Sequence, residues 1–147
     1  MVVAADPRLR GHLLRALGHE MGAVQQYLAQ ASLADMWELG EYGRQFRRDA
    51  VDELTHVERL IQAMLVLGIA PNTNNIAPVR LGRSVQEMLL VDRELEVEAI
   101  HAYDAAALYC SRIGDRATEG LFAGLLDEEL EHLGSIDDAL GRVAASS

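Results

Sequence analysis

One cysteine, three prolines and an aromatic content of 5 % in 147 residues are the first limits on this chain. Cys110 alone cannot close an internal disulfide, which fits a reducing compartment. So few prolines leave long stretches free to be helical, and Ala, Leu, Glu and Arg dominate the rest. Basic residues are also scarce, with 13 Lys and Arg against 23 Asp and Glu, a formal charge of −10 and a pI of about 4.8. That balance argues against nucleic acid, whose binding depends on cationic side chains releasing counterions. An acidic surface suits solubility and attracts cations. No charged-then-apolar leader is expected at the start, and no apolar run approaches the roughly 18 residues of a membrane span. The reading is a cytoplasmic protein without a membrane partner, folded as one domain over residues 1–147.

What is present is helical periodicity. Asp6-Pro7 is a good helix start, because Asp caps free amides and Pro suits the first helical position. The first helix is expected to reach about Trp37, with Leu13, Leu17, Glu20, Val24, Tyr27 and Ala31 on one face. A second is expected over Glu41 to Leu67, with Phe46, Ala50, Glu53, His56, Leu60, Met64 and Leu67 inward and Gly68 as its stop. Ser84-Val-Gln-Glu87 matches a capping box and opens a third helix. Its inward stripe is Val85, Leu89, Glu96, Ala99, Tyr103 and Ala107. Gly114-Asp115 then supplies a stop and a new cap. The fourth helix carries Phe122, Leu125, Glu129, His132, Ile136 and Leu140. The connection Ile69–Arg83 contains Pro71-Asn72, Asn74-Asn75 and Pro78. Antiparallel neighbours need a far shorter one, and this segment spans roughly 50 Å when extended. The pattern predicts an all-α four-helix bundle of two helical hairpins joined by a long crossover.

The chain states one motif twice. Glu20 precedes Glu53, which opens Glu53-Leu-Thr-His56. Glu96 precedes Glu129 by the same interval, and Glu129 opens Glu129-Leu-Glu-His132. Tyr27 and Tyr103 each follow the first Glu of their set by seven. The midpoint of each Glu pair falls at a hairpin turn, near Met36–Trp37 and at Arg112–Ile113, so each hairpin should hold its two carboxylates level. A Glu and a His three apart share a helical face. All six residues lie on stripes that should be core. Four ionised carboxylates there would repel, and desolvation would cost several kcal/mol per ion. Two divalent cations balance them, four positive charges against four negative. Carboxylate-rich ligation with one imidazole per metal suits iron or manganese better than structural zinc. A third Glu-x-x-His, Glu98 to His101, lies off the stripe and lacks an upstream Glu at the repeated interval, so it reads as a solvated face. His12 and His19 read as surface residues. The matched tyrosines point to phenols bonded to ligand carboxylates.

With those residues in place the chain resembles the bacterioferritins of the ferritin-like di-iron proteins. The similarity runs from about His12 to Val143 through His19-Glu20, Gln26-Tyr27, Asp52-Glu53-Leu54-Thr55-His56 and Gly68-Ile69-Ala70-Pro71-Asn72. It continues through Arg80-Leu81-Gly82, Glu87-Met88-Leu89, Glu94-Leu95-Glu96 and Asp127-Glu128-Glu129-Leu130-Glu131-His132. The resemblance implies a ferritin-like four-helix bundle in which Glu20 with His56, and Glu96 with His132, are terminal ligands of two iron ions. Glu53 and Glu129 would bridge them, and Tyr27 would orient a carboxylate or lend an electron. The implied activity is ferroxidation of Fe(II) to Fe(III) by O2 or H2O2, with the product stored as mineral in a shell. The alternatives are a di-iron or di-manganese peroxide scavenger and a non-catalytic assembly subunit. Three departures shape the expectations. Leu54 stands where the family's haem-ligating Met would be, so no haem is expected in the usual manner. Arg48 replaces a His that can hold iron on the inner surface, and the sequence given stops at Ser147, short of a fifth helix. A second apolar stripe, Val51, Leu54, Ile61 and Leu65, with Leu14, Met21 and Leu28 on the first helix, predicts a two-fold homodimer, which the resemblance would make the unit of a 24-subunit shell.

Overall fold

The computed structural model describes residues 6–73 and 75–146. Residues 1–5, where a leader would begin, and Asn74 of the Asn74-Asn75 turn signal lie outside them, as does Ser147. Four helices form among the described residues: α1 Pro7–Met36, α2 Gly40–Val66, α3 Val85–Ile113 and α4 Arg116–Ser146. No strand is present among the described residues. The pairs α1–α2 and α3–α4 pack closely as hairpins, and α1–α3 and α2–α4 contacts close the bundle. The crossover joins the far end of α2 to the start of α3.

The helix ends follow from local chemistry. Asp6 caps α1, its carboxylate accepting from the amides of Arg8 at 2.9 Å and Leu9 at 3.1 Å. Ser84 accepts from the Glu87 amide at 3.1 Å, and Glu87 in return accepts from the Arg83 amide at 2.6 Å, one residue outside the usual reciprocal partner. Gly68 and Gly114 sit at φ 73° and 75°, where an L side chain is strained, and each ends its helix. Asp115 then caps α4 through the Thr118 amide at 3.0 Å. The α1–α2 turn solves the same problem without glycine: Glu38 takes φ 60°. Here the expected ends shift slightly. The first helix stops at Met36 and α2 begins at Gly40.

The inward stripes are observed with four adjustments at apolar positions. Val24, Leu67, Ala107 and Leu140 are half-buried, while Ala23, Ala106 and Cys110 are buried. On α1 the buried arc is wide because the crossover adds a third neighbour. Gln26 clasps it, donating from Nε2 to the Arg80 carbonyl at 2.7 Å and accepting from the Arg80 amide at 2.9 Å. His12 and His19 are half-buried at the surface, and the ring of His12 packs on Tyr109 with centroids 5.5 Å apart. Glu98 and His101 are exposed.

The core is divided. One apolar cluster contains Leu13, Leu17, Leu60, Met64, Phe122 and Leu125. The other contains Ala31, Phe46, Ala50, Met88, Leu89 and Ile136. Between them, at mid-bundle, runs a belt of ionisable side chains.

Candidate metal centre

Each helix delivers its belt residues from its core face. Glu20 comes from α1, Glu53 and His56 from α2, Glu96 from α3, and Glu129 and His132 from α4. The four glutamates and His56 are buried, and the His132 side chain is 14 % exposed. The belt brings all six together in two overlapping groups. Glu20, Glu53, His56 and Glu129 offer donor atoms that all lie within 4.8 Å of one another, and so do Glu53, Glu96, Glu129 and His132. Glu53 and Glu129 belong to both groups.

His56 Nδ1 lies 3.1 Å from Glu129 Oε1, 3.2 Å from Glu53 Oε2 and 3.5 Å from Glu20 Oε1. His132 Nδ1 lies 3.1 Å from Glu96 Oε1 and 3.3 Å from Glu53 Oε1. These contacts are close but poorly directed. Both oxygens of Glu53, Oε2 of Glu20, Oε2 of Glu96, Oε1 of Glu129 and Nδ1 of His56 have no hydrogen-bond partner. Buried polar atoms are nearly always satisfied, and a cluster of exceptions calls for a missing partner. A pair of divalent cations fits it in charge, in donor chemistry and in the number of lone pairs left open.

The phenols complete the belt. Tyr27 donates to Glu96 Oε1 at 2.6 Å, and Tyr103 donates to Glu20 Oε1. Burial pushes both phenols well above their ordinary pKa, and the adjoining glutamates add to the rise. Burial also pushes Glu20 up to about 8, with Glu53 reinforcing it and His56 opposing. Glu53 itself is raised by burial, but Glu20, His132 and His56 outweigh that and lower it overall. Burial opposes charge on the imidazoles, yet the carboxylates beside them win. His56 rises to about 10 through Glu20 and Glu53, and His132 to about 12 through Asp49, Glu53 and Glu96. Without cations, protons hold the belt together.

Sequence reasoning missed the outer partners. His132 Nε2 faces Asp49 Oδ1 at 3.4 Å, and Gln45 donates to that oxygen at 2.9 Å. His56 Nε2 faces Glu128 Oε1 at 3.7 Å, while Arg59 holds the other oxygen of Glu128. Such contacts fix the ring orientation of a ligand histidine. Asp92 is buried beside Gln30, and burial pushes its carboxyl well above the usual range. One signal was available: Asp49 and Asp92 each stand four positions before a belt glutamate, on the same helical face. A cavity of about 320 Å³ between α2 and α4 connects Glu53, His56, Glu129 and His132 to exposed Asp52 and Glu131.

Four antiparallel helices around a shared carboxylate–imidazole belt define the ferritin-like class of bundle. A family model described as the ferritin-like domain matches residues 11–145. A bacterioferritin of Streptomyces coelicolor is 30 % identical over 92 % of this chain and 81 % of its own length. That of Brucella melitensis is 29 % identical over 95 % of the chain and 86 % of its own, and that of Rhodobacter capsulatus 29 % over 87 % and 80 %. The chain belongs to the ferritin family, among the bacterioferritins. No described helix is long and apolar enough to cross a membrane.

Proposed function

We propose that this chain is a ferroxidase subunit of an iron-storage protein, taking Fe(II) as substrate. The observation that carries the reading is the pair of four-membered donor groups sharing Glu53 and Glu129. Glu20 with His56, and Glu96 with His132, are the terminal ligands in this reading, and Glu53 and Glu129 serve both cations. The protein's part is to fix two cations close together in a dry core and to balance their charge. In the oxidation each Fe(II) loses one electron; O2 takes the two electrons and two protons and becomes H2O2. With H2O2 as oxidant, two electrons and two protons break the O–O bond and give two waters. Tyr27 orients Glu96 through its hydrogen bond. The acidic cavity between α2 and α4 is the route by which Fe(II) reaches the belt, its carboxylates concentrating cations from solution.

Assembly belongs to the same proposal. Val51 and Leu65 are 59 % and 61 % exposed, and Leu28 and Leu54 about half exposed, on one side of α1 and α2. Met21, Leu14 and Ile61 extend this surface, half-buried. An isologous two-fold contact covers such a stripe with its copy, and the dimer is the unit of a 24-subunit shell.

The test is stopped-flow oxidation of Fe(II) on mixing with O2. Glu53→Ala and Glu129→Ala should each abolish the rapid phase, since each serves both cations. Glu98→Ala and His101→Ala should leave it intact. Full rates in both belt variants would overturn the assignment. Native mass and metal content per subunit separate a storage shell from a small di-manganese or di-iron peroxide scavenger, and both from a metal-free assembly subunit.

A further inference from the structure

The two phenols do not serve their own hairpins. Tyr27 and Glu20 are both on α1, yet Tyr27 bonds Glu96 on α3, and Tyr103 on α3 bonds Glu20 on α1. The two bonded pairs are nested symmetrically in the numbering, as two antiparallel helices require when both pairs are level across the contact. A buried phenol needs an acceptor, and satisfying it would be reason enough for one such bond. Two further facts go beyond that need. The bonds repeat on both halves of the belt, and in both the phenol takes Oε1 while Oε2 of the same glutamate is left buried with no partner. Neither tyrosine donates to Glu53 or Glu129, the residues common to both donor groups.

We infer that Tyr103 is a positioning residue matched to Tyr27, each holding a terminal glutamate through Oε1, the oxygen that also faces the imidazole of its own donor group. This rests on the proposed two-cation function and deepens it. The terminal glutamates are thereby fixed in orientation, while neither shared glutamate gives an oxygen to a phenol. Because the arrangement is the same on both halves, loss of one phenol weakens one cation position and spares the other. Tyr103 reaches Glu20 from outside the Glu-x-x-His pairs, so its effect on a cation passes through Glu20 alone.

Co(II) is the probe, since it occupies carboxylate–imidazole sites without being oxidised by the centre. Wild type, Tyr27→Phe, Tyr103→Phe and the double variant are titrated by equilibrium dialysis with visible absorption, and thermal unfolding of each is recorded without metal. Wild type binding fewer than two Co(II) per chain would defeat the proposed function itself. With two bound, Tyr103→Phe should lower one affinity by about 10–100-fold and leave the other unchanged. Tyr27→Phe should do the same at the other position, and the double variant should lower both. Unchanged affinities in Tyr103→Phe, or equal losses at both positions, would overturn the inference. A loss at both positions accompanied by a lower unfolding temperature would assign Tyr103 to packing and overturn it as well.

Discussion

Loading the belt with cations should expel protons in a countable number. At pH 7 the imidazoles of His56 and His132, raised to about 10 and about 12, each carry a proton that a ligand nitrogen cannot keep. Glu20, raised to about 8, carries a third. Filling both positions with a redox-inert divalent cation should therefore release about three protons per chain, two from imidazoles and one from a carboxyl. The sign follows directly: every group is protonated below its raised pKa, so cation binding strengthens as pH rises. Between pH 6 and 7.5 the overall binding constant for two cations should climb by about three powers of ten per pH unit, or about 4 kcal/mol. Above about pH 8 the slope should fall to two as Glu20 ionises unaided. Zn(II) titration in weakly buffered indicator, checked by calorimetry in buffers of different ionisation enthalpy, reads both count and slope. Release of one proton or none at pH 7 would refute this picture of a belt held by protons.

Other parts of the molecule carry their own expected outcomes. Leu54→Glu or Ile61→Glu should split the dimer into monomers in sedimentation analysis by burying unpaired charge, whereas a monomeric wild type at micromolar concentration would remove the dimer and the shell together. Protein expressed with ample haem should show no strong Soret band, because Leu54 has no thioether; a stoichiometric bis-Met spectrum would mean that another methionine substitutes. Glu38→Gly should raise the unfolding temperature by about 2 °C, corresponding to about 0.5–1 kcal/mol, by relieving φ 60° in the α1–α2 turn; a lower unfolding temperature would show that the turn is not strained.

The helices were legible because each repeats apolar residues at steps of three and four, and their ends because Asp6, Ser84, Gly114 and Asp115 act within a turn of themselves. The belt was legible for a different reason. Glu20, Tyr27, Glu53 and His56 recur in the same order and at the same intervals as Glu96, Tyr103, Glu129 and His132, so a repeat marks residues that composition alone would assign to a surface. Asp49 and Asp92 escaped because they do not repeat. Their counterparts in the other half are Leu125 and Ala16, both core residues. Glu128 escaped because its contact with His56 depends on how α4 is rotated against α2, which no local pattern encodes. The misreading of Val24 against Ala23 has a similar origin. The crossover packs on α1 through Gln26, and a long-range contact decides which neighbouring side chain is sheltered.

The division of the core has a mechanical consequence. A helix as long as α1 measures about 45 Å, and here four such rods are glued near both ends by hydrocarbon and at the waist by groups that would rather be in water. In the cargo-free subunit the waist is the softest section, so amide exchange around Glu53, Glu96 and Glu129 should outpace that beside Leu60 or Phe46, reversing the usual gradient from frayed ends to a rigid middle. Cations would turn the same section into a rivet through all four rods. The bundle would then stiffen as cations bind, coupling its two ends through the waist.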